Sequence, residues 1–217
     1  MPEFQPPRDW DAVYAASPEY FFGEEPSQIA RSALRCFQMF GGSPADALAL
    51  DLGSGEGRDT VFLAEAGFQV VARDVAPTGL GKTRALLARR NVPPERVDLA
   101  LTDVRAFDYP PNTYDIAMAA NVFQFLPPDD VPAHIVRLQG ATKPGGLCVV
   151  GVFSPAMAGW GAQIGGFFAA TTAELLAFFP VSDGWLPLDV TEFWHYRPRD
   201  SAMGSWVFVV ARKEMIL

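Results

Sequence analysis

Five short apolar runs divide most of the chain, and the stretches between several of them have helical spacing. The runs are "ALALDL" (47–52), "FQVVARD" (68–74), "VDLALTD" (97–103), "YDIAMAA" (114–120) and "GGLCVVGVFS" (145–154). The spacing predicts helices over 58–66, 78–91 and 129–140, the last with Asp129 or Asp130 as its cap. A further helix is expected over 27–40, where Ile29, Ala33, Leu34, Phe37 and Phe40 fall near one face and Gly41-Gly42 ends the run. Strands apolar on both faces that alternate with helices predict a mainly parallel sheet covered on both sides. The chain then changes character. "LPLDVTEFWHY" (186–196) and "SWVFVVARK" (205–213) predict two strands joined by a hairpin, an antiparallel pair at one edge. Between the fifth run and this hairpin, 155–185 is rich in glycine and aromatics. Its one clear element is "TTAELLAFF", where Thr171 and Glu174 have capping-box spacing.

A chain of 217 residues suits one domain with a sizeable core. We therefore expect a single domain over 1–217, with a capping segment and helix over 1–40 and an insertion over 155–185. The first 26 residues carry Trp10, Tyr14, Tyr20, Phe21 and Phe22, more rings than a disordered tail carries, so this segment is expected to pack on the domain. The formal net charge of −8 argues against a uniformly basic face for nucleic acid, with Lys82, Arg84, Arg89 and Arg90 as the one local basic cluster. No apolar run approaches the roughly 20 residues of a membrane span, and "MPEFQPPRDW" does not read as a signal peptide. The expectation is a cytoplasmic protein without membrane or nucleic-acid partners, monomeric or homodimeric. Cys36 and Cys148 are too far apart in sequence to suggest a metal site or a disulfide framework, and no metal is expected.

The stretch "DLGSGEGRD" (51–59) follows the first strand and opens the first of the crossover helices. In a doubly wound sheet that is where ligands bind. Glycines there allow a sharp turn and close backbone approach, and the helix start offers N–H groups to an anion. The dinucleotide fingerprint is G-x-G-x-x-G, with pyrophosphate over the helix. Here the glycines are Gly53, Gly55 and Gly57, and Arg58 stands where the third dinucleotide glycine would be. Asp51, two residues ahead of Gly53, repels pyrophosphate and attracts an ammonium group. A ligand with both an amino group and a carboxylate fits better than a dinucleotide. Asp74 ends the second strand, placed to accept from ribose hydroxyls, and Asp103 ends the third, placed to accept from an adenine amine.

With these residues in place the chain resembles class I S-adenosylmethionine-dependent methyltransferases. The likeness runs through "ALDLGSGEGRDTVFLAEAGFQVVARDVAP", "TDVRAFDY", "YDIAMAANVFQFLP" and "KPGGLCVVGVF", from about Ala47 to Phe153. "GEGRDTVFLAEAGF", with "W…Y…YFFGEEPS" ahead of it, is most similar to the small tellurite-resistance and thiopurine-type branch. The resemblance implies a Rossmann-like, doubly wound seven-stranded sheet of order 3-2-1-4-5-7-6 and S-adenosylmethionine as cofactor. It implies that Asp51, Gly53, Ser54, Gly55, Gly57 and Arg58 hold the methionine part, that Asp74 and Val75 meet the ribose and adenine, that Asp103 and Val104 form the adenine edge, and that Asn121 lies near the sulfonium end. Three positions depart from common patterns: Ser54 for a frequent cysteine, Arg73 in "ARD", and Gln124 where histidine is often found.

For the acceptor, a small molecule is expected: a thiol, a chalcogen oxyanion, a phenol or a natural-product scaffold. The candidate lining is Tyr14, Tyr20, Phe22, Phe123, Trp160, Trp185 and His195, with Phe167 and Phe168 beside them, an aromatic wall that suits a flat or apolar acceptor. His195 is the candidate base, and His134, on a helix, is expected to be a surface or packing residue. Two other classes compete: a non-catalytic module that binds the cofactor, and a nicotinamide-dependent oxidoreductase, which Asp51 and Arg58 disfavour.

Overall fold

The computed structural model describes residues 9–157, 167–197 and 202–214, with backbone alone at Met157, 195–197, Ala202 and Met203. The elements run α1 (Trp10–Ala15), α2 (Gln28–Met39), β1 (Leu48–Leu52), α3 (Arg58–Ala66), β2 (Gln69–Asp74), α4 (Pro77–Arg89), β3 (Val97–Leu101), β4 (Tyr114–Ala120), α5 (Val131–Ala141), β5 (Thr142–Phe153), α6 (Thr172–Leu176), β6 (Trp185–Arg197) and β7 (Ala202–Lys213). One seven-stranded sheet has the order β3-β2-β1-β4-β5-β7-β6. Strands β1 to β5 pair in parallel, and β7 is antiparallel to both β5 and β6. The Rossmann-like order expected from the resemblance is the order found. It reverses between β1 and β4, where such sheets bind ligands.

Alternation along the strands fills two cores. Leu50, Leu52, Ala117, Val150 and Val207 pack with α5 and α6 on one face. Ala49, Val70, Ile116, Val149 and Phe208 pack with α2, α3 and α4 on the other. Both faces are covered, which is why the strands read as continuous apolar runs.

Local chemistry sets the boundaries. The capping box of α6 forms as expected, with Thr171 and Glu174 each accepting from the other's backbone N–H. Asp130 precedes α5 but makes no side-chain cap, and Asp129 lies one residue too early, so the cap expected there is absent. The start of β5 extends back to Thr142, which pairs with Tyr114. The register slips between there and the Leu147–Ile116 pair, around Gly145 at φ 82°. That kink hid the first residues of the strand from an alternation argument.

Two helix starts are capped from a distance. The N–H of Thr78 in α4 donates to Asp11 Oδ1 of α1 at 2.6 Å. At the start of α2, Ser27 donates its N–H and its hydroxyl to Asp59 of α3, at 2.6 and 2.7 Å. Segment 9–27 thus belongs to the packed structure, as its aromatic content suggested. Bonds to a buried carboxylate contribute about 1.5–3 kcal/mol. Asp59→Ala should therefore lower unfolding free energy by about 2–3 kcal/mol, measured by urea titration at neutral pH; a loss below about 0.5 kcal/mol would show that this anchor contributes little.

Candidate functional site

The loop between β1 and α3 turns on Gly53, Gly55 and Gly57, at φ 77°, 56° and 86°. Left-handed backbone at three alternate positions is available to glycine and strained for other residues. A Cβ would also collide with protein: with Val122 at Gly53, with the Tyr14 hydroxyl at Gly55 and with Thr83 at Gly57. The glycines therefore admit neighbouring side chains as well as the turn. Four N–H groups of the loop are already committed. Those of Gly53 and Ser54 donate to the Arg73 carbonyl, that of Gly55 to Asp74 Oδ2 at 2.8 Å, and that of Gly57 to the Ser54 carbonyl. Those four amides are spent on the protein itself.

Carboxylates gather instead. Asp51, Glu56, Asp59 and Asp74 are 2%, 5%, 6% and 8% exposed. Glu56 is neutralised by Lys82 at 2.7 Å and also accepts the N–H of Phe21 at 2.6 Å. Asp59 caps α2. Asp74 takes the N–H groups of Gly55 and Ala76, and burial raises its pKa against the pull of those bonds. Asp51 accepts the Thr60 hydroxyl at 2.6 Å. Burial, and then the neighbouring charge of Asp59, push its pKa up to about 7. Arg58 acts on Asp51 only from a distance, and among the described residues no cation forms an ion pair with it, so the site has room for a cationic group.

Three further groups await partners. Among the described residues, Ser54 Oγ, Asn121 Oδ1 and Gln124 Oε1 are buried without a hydrogen bond. They sit at the carboxyl ends of β1 and β4, on either side of the switch in strand order. Asn121 has φ 62°, a conformation that asparagine tolerates, and its N–H donates to Gly151. Buried unpaired polar atoms are costly, so three in one cleft mark a place for a polar ligand.

The carboxyl ends of β2 and β3 are more open. Val75 is exposed and Val104 buried. Asp103 caps the short 3-10 turn Val104–Ala106 and pairs with Arg105 at 2.5 Å, a bond that holds its pKa below the usual carboxylate value.

Segment 9–27 lies across this cleft. Tyr14 is buried against the glycine loop, and burial, then the charge of Asp74, raise the pKa of its phenol. Arg58 donates to the Phe22 carbonyl and lies over the Phe22 ring. Tyr20 donates to the Lys82 carbonyl beneath Arg89 and Lys82. Lys82 also reaches the carbonyls of Ser17 and Glu19, and Arg89 pairs with Glu24. The local basic cluster thus serves the acids and carbonyls of this segment. Glu56 and Asp59 escaped the sequence argument, as did the pairing of Lys82 with Glu56. The signal was the acid inside the glycine loop, a charge that no cofactor contact called for.

The remaining candidates separate. Phe123 is fully buried in the α5 face, and Trp185 is core, edge-on to Phe179 at 5.3 Å. Trp185 pairs with Lys213 at the end of the sheet away from the carboxyl edge of β1 and β4, because β6 runs parallel to β5. Tyr20 and Phe22 anchor the segment from outside. Trp160 lies outside the described residues, as does the side chain of His195, whose backbone pairs with Gly204. His134 is buried, 3.1 Å from the Tyr109 hydroxyl, with its pKa lowered by burial. Among the described residues no helix is long and apolar enough to cross a membrane, and no cluster of three or more His, Cys, Asp or Glu is placed to hold a metal ion.

Residues 49–146 match the methyltransferase domain family. The carboxy-S-adenosyl-L-methionine synthase of Chromohalobacter salexigens is 35% identical over 104 residues, 46% of this chain and 37% of that protein. The match spans about a third of the length of the first curated relatives, 32–37%. The structure of TehB from Haemophilus influenzae superposes with a TM-score of 0.66 at 21% identity, covering 85% of this chain and 62% of that one. The 1,6-didemethyltoxoflavin-N1-methyltransferase of Burkholderia thailandensis, solved with 1,6-didemethyltoxoflavin and S-adenosylhomocysteine bound, gives 0.67 at 23% over 95% and 86%. With its strand order, its matched region and these likenesses, the chain has the class I S-adenosylmethionine-dependent methyltransferase fold.

Proposed function

We propose that the chain transfers a methyl group from S-adenosylmethionine to a small-molecule acceptor. The observation that carries this reading is Asp51: a buried carboxylate without a cation, beside orphaned Ser54 and Asn121, in a loop whose amides are spent. A cofactor with an ammonium and a sulfonium suits that field, and a pyrophosphate opposes it. Asp51, Ser54 and the 53–57 loop would hold the methionine part, with Arg58 behind the loop and Asn121 toward the sulfonium. Asp74 has lone pairs left for the ribose hydroxyls after its two backbone bonds. Val75 and Val104 would flank the adenine, and Asp103 would take its amine. The Arg105 pair is largely exposed and worth at most about 1 kcal/mol, so an adenine amine displaces it at little cost.

When bound, the cofactor would supply an electrophilic methyl group on its sulfonium sulfur for an acceptor lone pair. The chain's part is alignment and exclusion of water, worth up to about 7–11 kcal/mol in ideal cases. Segment 9–27 serves as the lid over the cofactor. Tyr14, its phenol kept protonated by burial, is no base. An acceptor that binds already ionised needs none. The Haemophilus influenzae TehB likeness supports kinship with the tellurite-resistance and thiopurine-type branch, and the Burkholderia enzyme supports a small molecule as acceptor.

Calorimetry tests the cofactor. S-adenosylhomocysteine should bind and NAD should not; absence of the former would sink the proposal. With Asp51 raised to about 7 in the free protein, an ammonium partner lowers it, so binding near pH 6 should release a proton, and affinity should climb as pH rises toward 7. Calorimetry in two buffers of different ionisation enthalpy reads that proton, and Asp51→Asn should abolish it. The same raised pKa makes the ligand-free fold lose stability as pH rises from about 4 through about 7, because the folded state holds a proton that the unfolded chain releases. Asp74→Ala should weaken cofactor binding by about 1–3 kcal/mol; unchanged affinity would remove Asp74 from the site. Tight binding without turnover of any acceptor would favour the non-catalytic module.

A further inference from the structure

We infer that the acceptor is a flat, uncharged aromatic molecule bound against Phe125, Phe153 and Phe167, and that a small oxyanion is not the substrate. This rests on the methyltransferase reading above.

The three rings form a closed set. Phe125 lies 5.7 Å from Phe153 and 5.4 Å from Phe167, and Phe153 lies 6.0 Å from Phe167, with interplanar angles of 79–89°. Trp10 adds a fourth ring, 4.9 Å from Phe125 at 74°. Phe125 follows β4 and Phe153 ends β5, so the wall stands at the carboxyl edge, on the side of Asn121 away from the ribose acids. All four rings are half-buried, whereas Phe123, two residues from Phe125, is fully buried in the core. Edge-to-face sets of this kind present both ring faces and ring edges, which a further aromatic ring satisfies in the same geometry.

The charge pattern points the same way. Residues 116–128 and 144–173, which contain the segments after β4 and β5, hold no Asp, Glu, Lys, Arg or His. A negative charge adjoins the wall: Glu192 accepts the hydroxyls of Ser154 and Ser205, and Ser154 directly follows Phe153. Lys82 and Arg58 are committed to Glu56 and to Phe22. An oxyanion entering here would shed its water and meet apolar rings and a carboxylate. An aromatic acceptor loses only apolar surface from water.

Titration of 2-naphthol into the protein saturated with S-adenosylhomocysteine, followed by the fluorescence of the naphthol, tests this. One saturable site is expected, weakened about tenfold or more by Phe125→Ala and by Phe153→Ala, with S-adenosylhomocysteine affinity changed less than about twofold. Excess tellurite should not displace the naphthol. Absence of saturable binding, displacement by tellurite, or an unchanged affinity in Phe125→Ala would overturn the inference. Phe125→Leu keeps the volume and removes the ring, and decides the matter if the alanine variant does not fold. Failure of S-adenosylhomocysteine to bind would instead strike the cofactor reading; the naphthol is then titrated into the bare protein, where the same variants decide on the wall.

Discussion

The glycine loop has to bury four carboxylates, and the surroundings of the loop follow from how each one is balanced. Glu56 takes Lys82, and Asp59 takes the start of α2. Asp74 takes two backbone amides, one of them from the loop itself. Asp51 takes a threonine hydroxyl and no cation. Glu56 and Asp59 are spent on holding the protein together, and Asp74 in part. The fourth is held at a cost, because burial and Asp59 oppose its ionisation. A native structure that keeps such a group unpaired stores binding energy for whatever cation completes it.

The cleft divides by charge. On the β2 side of the switch point lie the acids and the cations that answer them. On the β5 side lie aromatic rings and two long segments free of charge. The orphaned atoms of Ser54, Asn121 and Gln124 mark the border. A cofactor that is polar at one end and presents a methyl carbon at the other would fit that gradient, with hydration balanced by acids at one end and water excluded at the other.

Much of the fold could be read from the chain because parallel strands buried on both faces leave continuous apolar runs, and the helices between them leave their own period. The strand order came from the resemblance to a family and not from the period. The β5 bulge and the missing cap of α5 were harder, since both depend on register and backbone angle. The site was legible where a residue's place on a strand end fixes its position, as for Asp51, Asp74 and Asp103. It was not legible where function depends on which way a short turn rotates. Phe123 and Phe125 are two residues apart in one 3-10 turn, yet one is core and the other stands in the wall. Trp185 looked like part of the insertion and fell at the far end of the sheet, because the direction of β6 is set by pairing with β7 and not by local sequence. Arg58, Tyr20 and Phe22 were drawn to the ligand by their neighbourhood, and the structure uses them to fasten segment 9–27.

That segment links the two halves of the cleft mechanically. Helix α1 has only six residues, Trp10–Ala15, and three of them reach different neighbours. Tyr14 packs against Gly55 and Gly79 on the charged side. Trp10, one turn earlier, packs on Phe125 on the aromatic side and is itself 5.6 Å from Tyr14. Asp11, between them, caps α4. A displacement of α1 that uncovers the glycine loop therefore also strips the fourth ring from the aromatic wall and uncaps α4. One short helix thus touches both halves of the cleft, through Tyr14 on the charged side and Trp10 on the aromatic side.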